Sequence, residues 1–199
     1  MTKQADAYIN KRIWLWLIIF WAIFVLSLAQ WQGNVGRRFA TAPVNFTVTS
    51  ADLVYKAWET QGVHGRILLL FDDYPHMRGL AFYEGAPQLT SSNFIEFSIF
   101  NNIIRKIYLV VSDDQWRDFS VRKDIGVFRT VSMDKQGHYL FTMSGVPLIA
   151  LPAASLPQID EDVLVHVNND RFPIDRVRTL LGSKGISSDM VTVYRSDRT

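Results

Sequence analysis

The most apolar part of the chain is residues 13–29, a run of seventeen residues without a charge and with Ser27 as its one polar side chain. At about 1.5 Å per residue, a helix over residues 13–31 is roughly 28 Å long, close to the roughly 30 Å hydrocarbon thickness of a bilayer. No other stretch qualifies, because the next most apolar one carries charged and amide side chains. The pattern predicts one transmembrane helix at 13–31, between a cytoplasmic tail at 1–12 and a tether at 32–43.

The charges that flank this run predict its orientation. Lys11 and Arg12 lie directly before it, whereas Arg37 and Arg38 follow at a greater distance. Positive charge favours the cytoplasmic side, so we expect a cytoplasmic N-terminus at the inner membrane and a periplasmic or extracytoplasmic body. A cleaved signal peptide is the alternative, but the apolar core is longer than the usual 7 to 15 residues. Both the anchor and the signal peptide would place the body outside the cytoplasm.

Large aromatic side chains are concentrated in the predicted span and at its edges. They are candidates for contact with lipid or with a helix of a larger membrane protein. These residues are Trp14, Trp16, Phe20, Trp21, Phe24 and Trp31.

The hydrophobic pattern of residues 44–125 predicts an α/β subdomain. Its clearest element is RILLLF at 66–71, which is apolar on both faces, as a strand covered on both sides would be. We also predict a strand at 44–49, a helix from there to Gly62, a helix from Asn93 to about residue 105, a strand at 107–111 and a short helix after Ser112.

Residues 126–199 predict a second subdomain. Alternating segments at 127–133 and 138–144 read as a hairpin closed by DKQG at 134–137. A strand at 163–167, a helix that starts at Pro173 and a strand at 190–194 form a βαβ unit. The expected fold class is therefore an α/β or α+β body, built as one mixed sheet or as two small packed units.

Composition narrows the function classes. A formal net charge of +2 with scattered basic residues gives no reason to expect a nucleic-acid partner. The chain has no cysteine, which excludes a disulfide framework and a thiolate zinc site. It also lacks a phosphate loop, a dinucleotide fingerprint and a nucleophile elbow, so we predict no cofactor.

Acidic residues at predicted strand ends are the main candidates for chemistry. If the strands are parallel, Asp72, Asp73, Asp113 and Asp170 could converge on a divalent cation or a phosphate-bearing substrate, with His76 nearby. Asp72, Asp73 and His76 form the weaker metal alternative. Helix capping and turn formation explain the same aspartates without any ligand. His166 alternates with two valines, a pattern that favours a strand residue whose ring forms a hydrogen bond with a neighbouring group.

The helix that begins at Asn93 is apolar around most of its circumference. Its face of Phe94, Phe97 and Phe100 predicts either a buried core helix or a docking surface for a partner.

Residues 127–194 resemble the periplasmic domain of the ExbD/TolR family, the single-pass partners of proton-driven motors. The matching features, in chain order, are the DKQG turn, the GVPL segment at 145–148, Leu151 and Leu156, VLVHVNND at 163–170, Pro173, Val177, Leu181, Gly185, Ile186 and the strand at 191–193. The resemblance implies an envelope-facing domain that dimerises or docks. Members of that family carry an aspartate in the membrane helix, and residues 13–29 have none, which argues against proton transduction by this chain.

Three functions follow from these patterns. The first is a non-catalytic accessory or scaffolding subunit of a bacterial inner-membrane complex, whose partners are integral membrane subunits and the lipid bilayer. The second is a membrane-anchored extracytoplasmic enzyme that uses the strand-end aspartates. The third is a periplasmic ligand-sensing domain, which requires a pocket that the sequence does not reveal.

Overall fold

The structure is a computed structural model that describes Trp21 and residues 46–77, 81–83, 86–119 and 131–196. Apart from Trp21, these residues belong to one compact unit that spans residues 39–199. Its elements are β1 (Phe46–Val48), α1 (Asp52–Thr60), β2 (Arg66–Phe71), β3 (Ala81–Tyr83), β4 (Ala86–Gln88), α2 (Phe94–Phe100), β5 (Ile104–Val111), α3 (Trp116–Phe119), β6 (Ser132–Met133), β7 (Tyr139–Met143), β8 (Val146–Pro152), a 3-10 turn (Ala153–Ser155), β9 (Val163–Asn168), α4 (Ile174–Lys184) and β10 (Ser188–Tyr194).

Eight of the described strands form one mixed sheet in the order β1-β10-β9-β2-β5-β8-β7-β6. The first six strands of that order are parallel to their neighbours, and β7 and β6 add an antiparallel edge. The remaining two strands, β3 and β4, pair separately as a short hairpin. The fold is therefore mixed α/β with a mixed sheet.

Both faces of the sheet are covered. On the first face, Leu68 and Leu70 of β2 belong to the core cluster that α1, α2 and α3 complete. On the second face, Leu69 and Phe71 pack in a cluster with α4 and the segment after β8. This two-sided burial explains why β2 is almost continuously apolar, as predicted for a central parallel strand.

The segments 44–125 and 126–199, predicted as separate subdomains, contribute strands to the same sheet. β9 and β10 come from the second segment and lie between β1 and β2 of the first. Of the two arrangements considered, the chain adopts the single sheet. The predicted βαβ unit is present, since β9 and β10 are parallel neighbours joined by α4.

Several predicted boundaries differ from the structure. The helix expected to reach residue 105 ends at Phe100, because Asn102 adopts φ 55° and reverses the chain into β5. Asparagine tolerates this left-handed conformation better than most residues. The segment at 146–152, for which no strand was predicted, is β8, with its two prolines at or near the strand ends where the ladder tolerates them.

Among the described residues, no helix is long and apolar enough to cross a membrane. The predicted span at 13–31 lies outside these residues except for Trp21, which is helical and exposed. Trp14, Trp16, Phe20, Phe24 and Trp31 also lie outside the described residues. Of the predicted strand at 127–133, the structure describes residues 131–133, and β6 covers the last two.

Candidate functional site at the centre of the sheet

The centre of the sheet contains a crevice between the ends of two neighbouring strands. β2 and β9 are parallel, with Phe71 opposite Val167. The chain leaves β2 toward β5 on one side and leaves β9 toward β10 on the other side. In open α/β sheets, ligands bind in the crevice between two neighbouring strands whose following connections run in opposite directions, outside the carboxyl ends of these strands. The side chains beyond Phe71 and Val167 therefore occupy the position at which this architecture builds sites.

Asp72, directly after β2, ties the two strand ends together. Its buried carboxylate accepts the backbone N–H groups of Asp73 at 2.7 Å and Tyr74 at 3.3 Å through Oδ1. Its Oδ2 lies 3.0 Å from Nε2 of His76 and accepts Nδ2 of Asn168, at the end of β9, at 3.1 Å. A carboxylate offers about four acceptor positions, so these four bonds use its whole capacity.

The hydrogen bonds of Asp72 keep it ionised in a buried setting. Burial alone would raise the pKa of this carboxyl, but the hydrogen bond and charge of His76 and the hydrogen bond of Asn168 lower it below its usual value. His76 also places Nδ1 3.0 Å from the carbonyl oxygen of Ser91, so both ring nitrogens face oxygen acceptors.

His76 is held in a strained backbone conformation. Its φ of 51° lies in the left-handed region, which costs a residue other than glycine of order 1 kcal/mol or more. The bonds to Asp72 and Ser91 stabilise the ring in this position. Asp72, His76 and Asn168 thus form a fully bonded frame around the crevice.

His166 lies two residues before Asn168 on the same face of β9, and it is the one buried histidine of the first core face. It is 1 % exposed, and its Nδ1 lies 3.1 Å from Oγ1 of Thr192 on β10. The hydroxyl of Thr192 donates its single proton to the carbonyl oxygen of Val165 at 3.1 Å. Oγ1 therefore accepts from His166, which assigns the ring proton to Nδ1 and a lone pair to Nε2.

No described group forms a hydrogen bond with Nε2 of His166. Burial lowers the pKa of His166 to about 3, since the favourable charge of Asp72 is opposed by the charge of His76. The ring is therefore neutral at physiological pH and offers a buried acceptor. Buried polar atoms in native proteins nearly always have a partner, so this atom requires an explanation.

Trp58 of α1 provides a second buried polar atom beside His166. The two rings meet edge to face with centroids 6.4 Å apart, and Phe94 of α2 contacts the histidine from another side at 5.4 Å. Nε1 of Trp58 also has no hydrogen-bond partner among the described groups. The core around His166 therefore holds a buried donor and a buried acceptor, each without a described partner.

A cavity of about 340 Å³ opens onto His166 and His76 at this end of the first face. Its lining is rich in hydroxyl groups: Thr49, Ser50, Tyr74, Ser91, Ser92 and Tyr194. The crevice thus combines a fixed polar frame, a buried neutral acceptor and a hydroxyl-lined space large enough for a small molecule.

The structure separates the four aspartates that were predicted as catalytic candidates. Asp72 belongs to the frame described above, and Asp73 forms an ion pair with Nε of Arg171 at 3.5 Å. Asp113 is exposed and accepts the backbone N–H of Ala154 at 3.2 Å. Asp170 accepts hydrogen bonds from the backbone and hydroxyl of Ser196. Within the part of the chain that the structure describes, no three His, Asp or Glu side chains are placed to hold one metal ion.

The predicted aromatic face of α2 divides between core and surface. Phe94 is fully buried, Phe97 packs edge to face on Tyr55 with centroids 4.8 Å apart, and Phe100 is exposed. Most of this face therefore belongs to the first core cluster.

Sequence reasoning placed Asp72 at a strand end, favoured His166 as a strand residue satisfied by a neighbour, and assigned Thr192 no role. A signal was present, because His166 and Asn168 are spaced by two residues and so share one face of a strand. Their position opposite Asp72 depends on the pairing of β9 with β2, which local patterns do not encode.

The chain matches no protein-family model, and searches of curated proteins and of solved structures find no significant similarity.

Proposed function

We propose that the α/β body is a ligand-binding domain whose crevice at the centre of the sheet takes a small hydroxylated molecule. The observation that carries this proposal is His166, which belongs to the cavity lining and whose buried Nε2 has no described partner. A buried acceptor without a hydrogen bond costs about 1–3 kcal/mol, and a ligand hydroxyl at this position would recover that free energy. The role corresponds to the ligand-sensing function considered from the sequence.

The chemistry of the cavity supports an uncharged ligand with several hydroxyl groups. The buried carboxylate of Asp72 is already bonded to Nε2 of His76, at 3.0 Å. The remaining polar lining consists of serine, threonine and tyrosine hydroxyls, which both donate and accept. A volume of about 340 Å³ suits a molecule of about the size of a monosaccharide or cyclic polyol.

The wider setting of this domain remains a proposal from the sequence. The apolar run at 13–29 supports an inner-membrane anchor, and the resemblance to the ExbD/TolR family supports an accessory subunit that docks on membrane partners. Replacing Trp16, Trp21 and Phe24 with leucine tests this role, since insertion should persist while co-purification of partner subunits in mild detergent weakens. Isolation of the unmodified chain as a monomer in several detergents would contradict it.

The ligand proposal is tested by calorimetric titration of the purified full-length chain. The probes are D-glucose, D-galactose, D-ribose, myo-inositol and glycerol. We expect at least one of them to bind and expect His166→Phe, which keeps an aromatic ring but removes Nε2, to abolish that binding. His64→Phe is the matched control, because His64 is exposed and lies outside the crevice lining. Failure of all five probes, or equal binding by His166→Phe, would overturn the proposal.

A further inference from the structure

The second face of the sheet carries a larger cavity, of about 710 Å³, next to the antiparallel edge. One side of its lining is apolar and includes Tyr108, Leu151 and Leu156. The polar side includes His138, directly before β7, and Lys184, at the end of α4. The cavity is therefore amphipathic, unlike the hydroxyl-lined crevice of the first face.

His138 is fixed by a carboxylate within its own hairpin turn. Oδ2 of Asp134 accepts Nδ1 of His138 at 2.9 Å, while Oδ1 accepts the backbone N–H groups of Gln136 and His138 at 2.8 and 2.9 Å. These bonds, led by the backbone N–H of His138, lower the pKa of Asp134 below its usual value. The ionised carboxylate assigns the proton of the neutral ring to Nδ1 and leaves a lone pair on Nε2.

This lone pair is buried, and His138 belongs to the lining of the cavity. His138 is 8 % exposed, and none of the described groups bonds to its Nε2. The turn alone explains why Nδ1 is bonded, but it does not explain a second ring nitrogen that is withdrawn from water without a described partner.

Lys184 places a positive charge in the lining of the same cavity. It is half-buried, and among the described residues no carboxylate lies within ion-pair distance of its ammonium group. One cavity thus contains an acceptor that needs a donor, a cation that needs an anion, and apolar side chains between which a ring can pack.

We propose that this cavity is a second ligand site, which takes a hydroxylated carboxylic acid with an apolar body. The hydroxyl group donates to Nε2 of His138, the carboxylate pairs with Lys184, and the body packs on Tyr108, Leu151 and Leu156. The site is independent of the crevice, because it lies on the other face of the sheet and shares no lining residue with it.

Calorimetric titration of the full-length chain with 4-hydroxyphenylacetate and phenylacetate tests this site. The two acids differ by one hydroxyl group, so we expect the hydroxylated acid to bind about 10-fold more tightly. His138→Asn should remove this preference, because its amide can still donate to Asp134 but lacks the Nε2 acceptor. Lys184→Met should weaken both acids by a similar factor. His64→Asn is the matched control and should leave both affinities unchanged.

A spectroscopic measurement keeps the proposal testable if His138→Asn does not fold. In the unmodified chain, long-range proton–nitrogen correlation spectra should show the Nε2 resonance of His138 move on addition of 4-hydroxyphenylacetate but not of phenylacetate. Equal affinity for the two acids, an unmoved Nε2 resonance at saturation, or no binding of either acid would overturn the proposal.

Discussion

The two faces of the sheet hold two histidines with the same local pattern and different supports. In both His166 and His138, Nδ1 is bonded, Nε2 is buried without a described partner, and the residue belongs to the lining of a cavity. His166 is fixed by a neutral threonine hydroxyl on the neighbouring strand. His138 is fixed by an aspartate four residues earlier in the same turn. One support is built by the topology of the sheet and the other by local sequence.

The two supports give the two histidine rings different acceptor properties. Burial lowers the pKa of His166 to about 3, and the threonine hydroxyl supplies no charge to oppose this shift, so the ring is a neutral acceptor over the physiological range. An ionised aspartate beside Nδ1 raises the electron density of the ring and makes Nε2 of His138 a better acceptor. The crevice therefore suits uncharged hydroxyl groups, and the second cavity suits a stronger donor such as a phenol.

The largest expected effect compares the stability contributed by Asp72, in the crevice, with that contributed by Asp134, beside the second cavity. Asp72→Ala removes four buried hydrogen bonds and leaves His76 without its carboxylate, so we expect a loss of about 3–5 kcal/mol in the free energy of unfolding. Asp134→Ala should cost less, because its turn is at the edge of the sheet and solvent replaces the lost bonds. Urea denaturation of both variants measures the difference. Equal losses would contradict the central role of Asp72.

Replacing Thr192 tests how His166 is held. Thr192→Val keeps the shape of the side chain but leaves Nδ1–H of His166 without its acceptor, so we expect a loss of about 1–3 kcal/mol in unfolding free energy. Thr192→Ser keeps the hydroxyl and should be less destabilised. If the two variants were equally stable in urea denaturation, the hydrogen bond to Nδ1 would have no energetic role.

Features that depend on residues close in sequence were predicted from the sequence alone. The turn at 134–137 was predicted from its residues alone, and the structure places Gly137 there at φ 82°, a conformation that glycine adopts readily. Strand β2 was predicted with its observed bounds, because a central parallel strand is apolar on both faces. These features depend on neighbours in sequence.

The crevice could not be predicted in the same way. The bond between Asp72 and Asn168 joins residues 96 positions apart, and it forms because β9 returns to the far side of β2. The prediction that the strand-end aspartates converge assumed a strand order that local patterns do not contain. Asp113 and Asp72 do lie at the same end of the sheet, but Asp113 lines a cavity on the second face.

The low pKa of His166 predicts a specific acid sensitivity. Its folded value of about 3 lies below the ordinary 6.5, so between these values the unfolded chain binds the extra proton and stability falls as pH falls. Lowering the pH from 7.5 to 5.5 should cost about 1.4 kcal/mol through this residue. Urea denaturation at several pH values should show a flatter acid limb for His166→Phe than for the unmodified chain. Identical acid limbs would show that His166 is protonated in the folded state.

The central claim, that Nε2 of His166 is kept for a ligand, is tested most directly by the unfolding free energy of ligand-free His166→Phe. A phenyl ring fits among Trp58 and Phe94 and removes a buried acceptor that lacks a described partner, so we expect the variant to be more stable by about 1 kcal/mol. A histidine with a structural role predicts the opposite sign. A loss of about 2 kcal/mol or more in the same measurement would contradict the account.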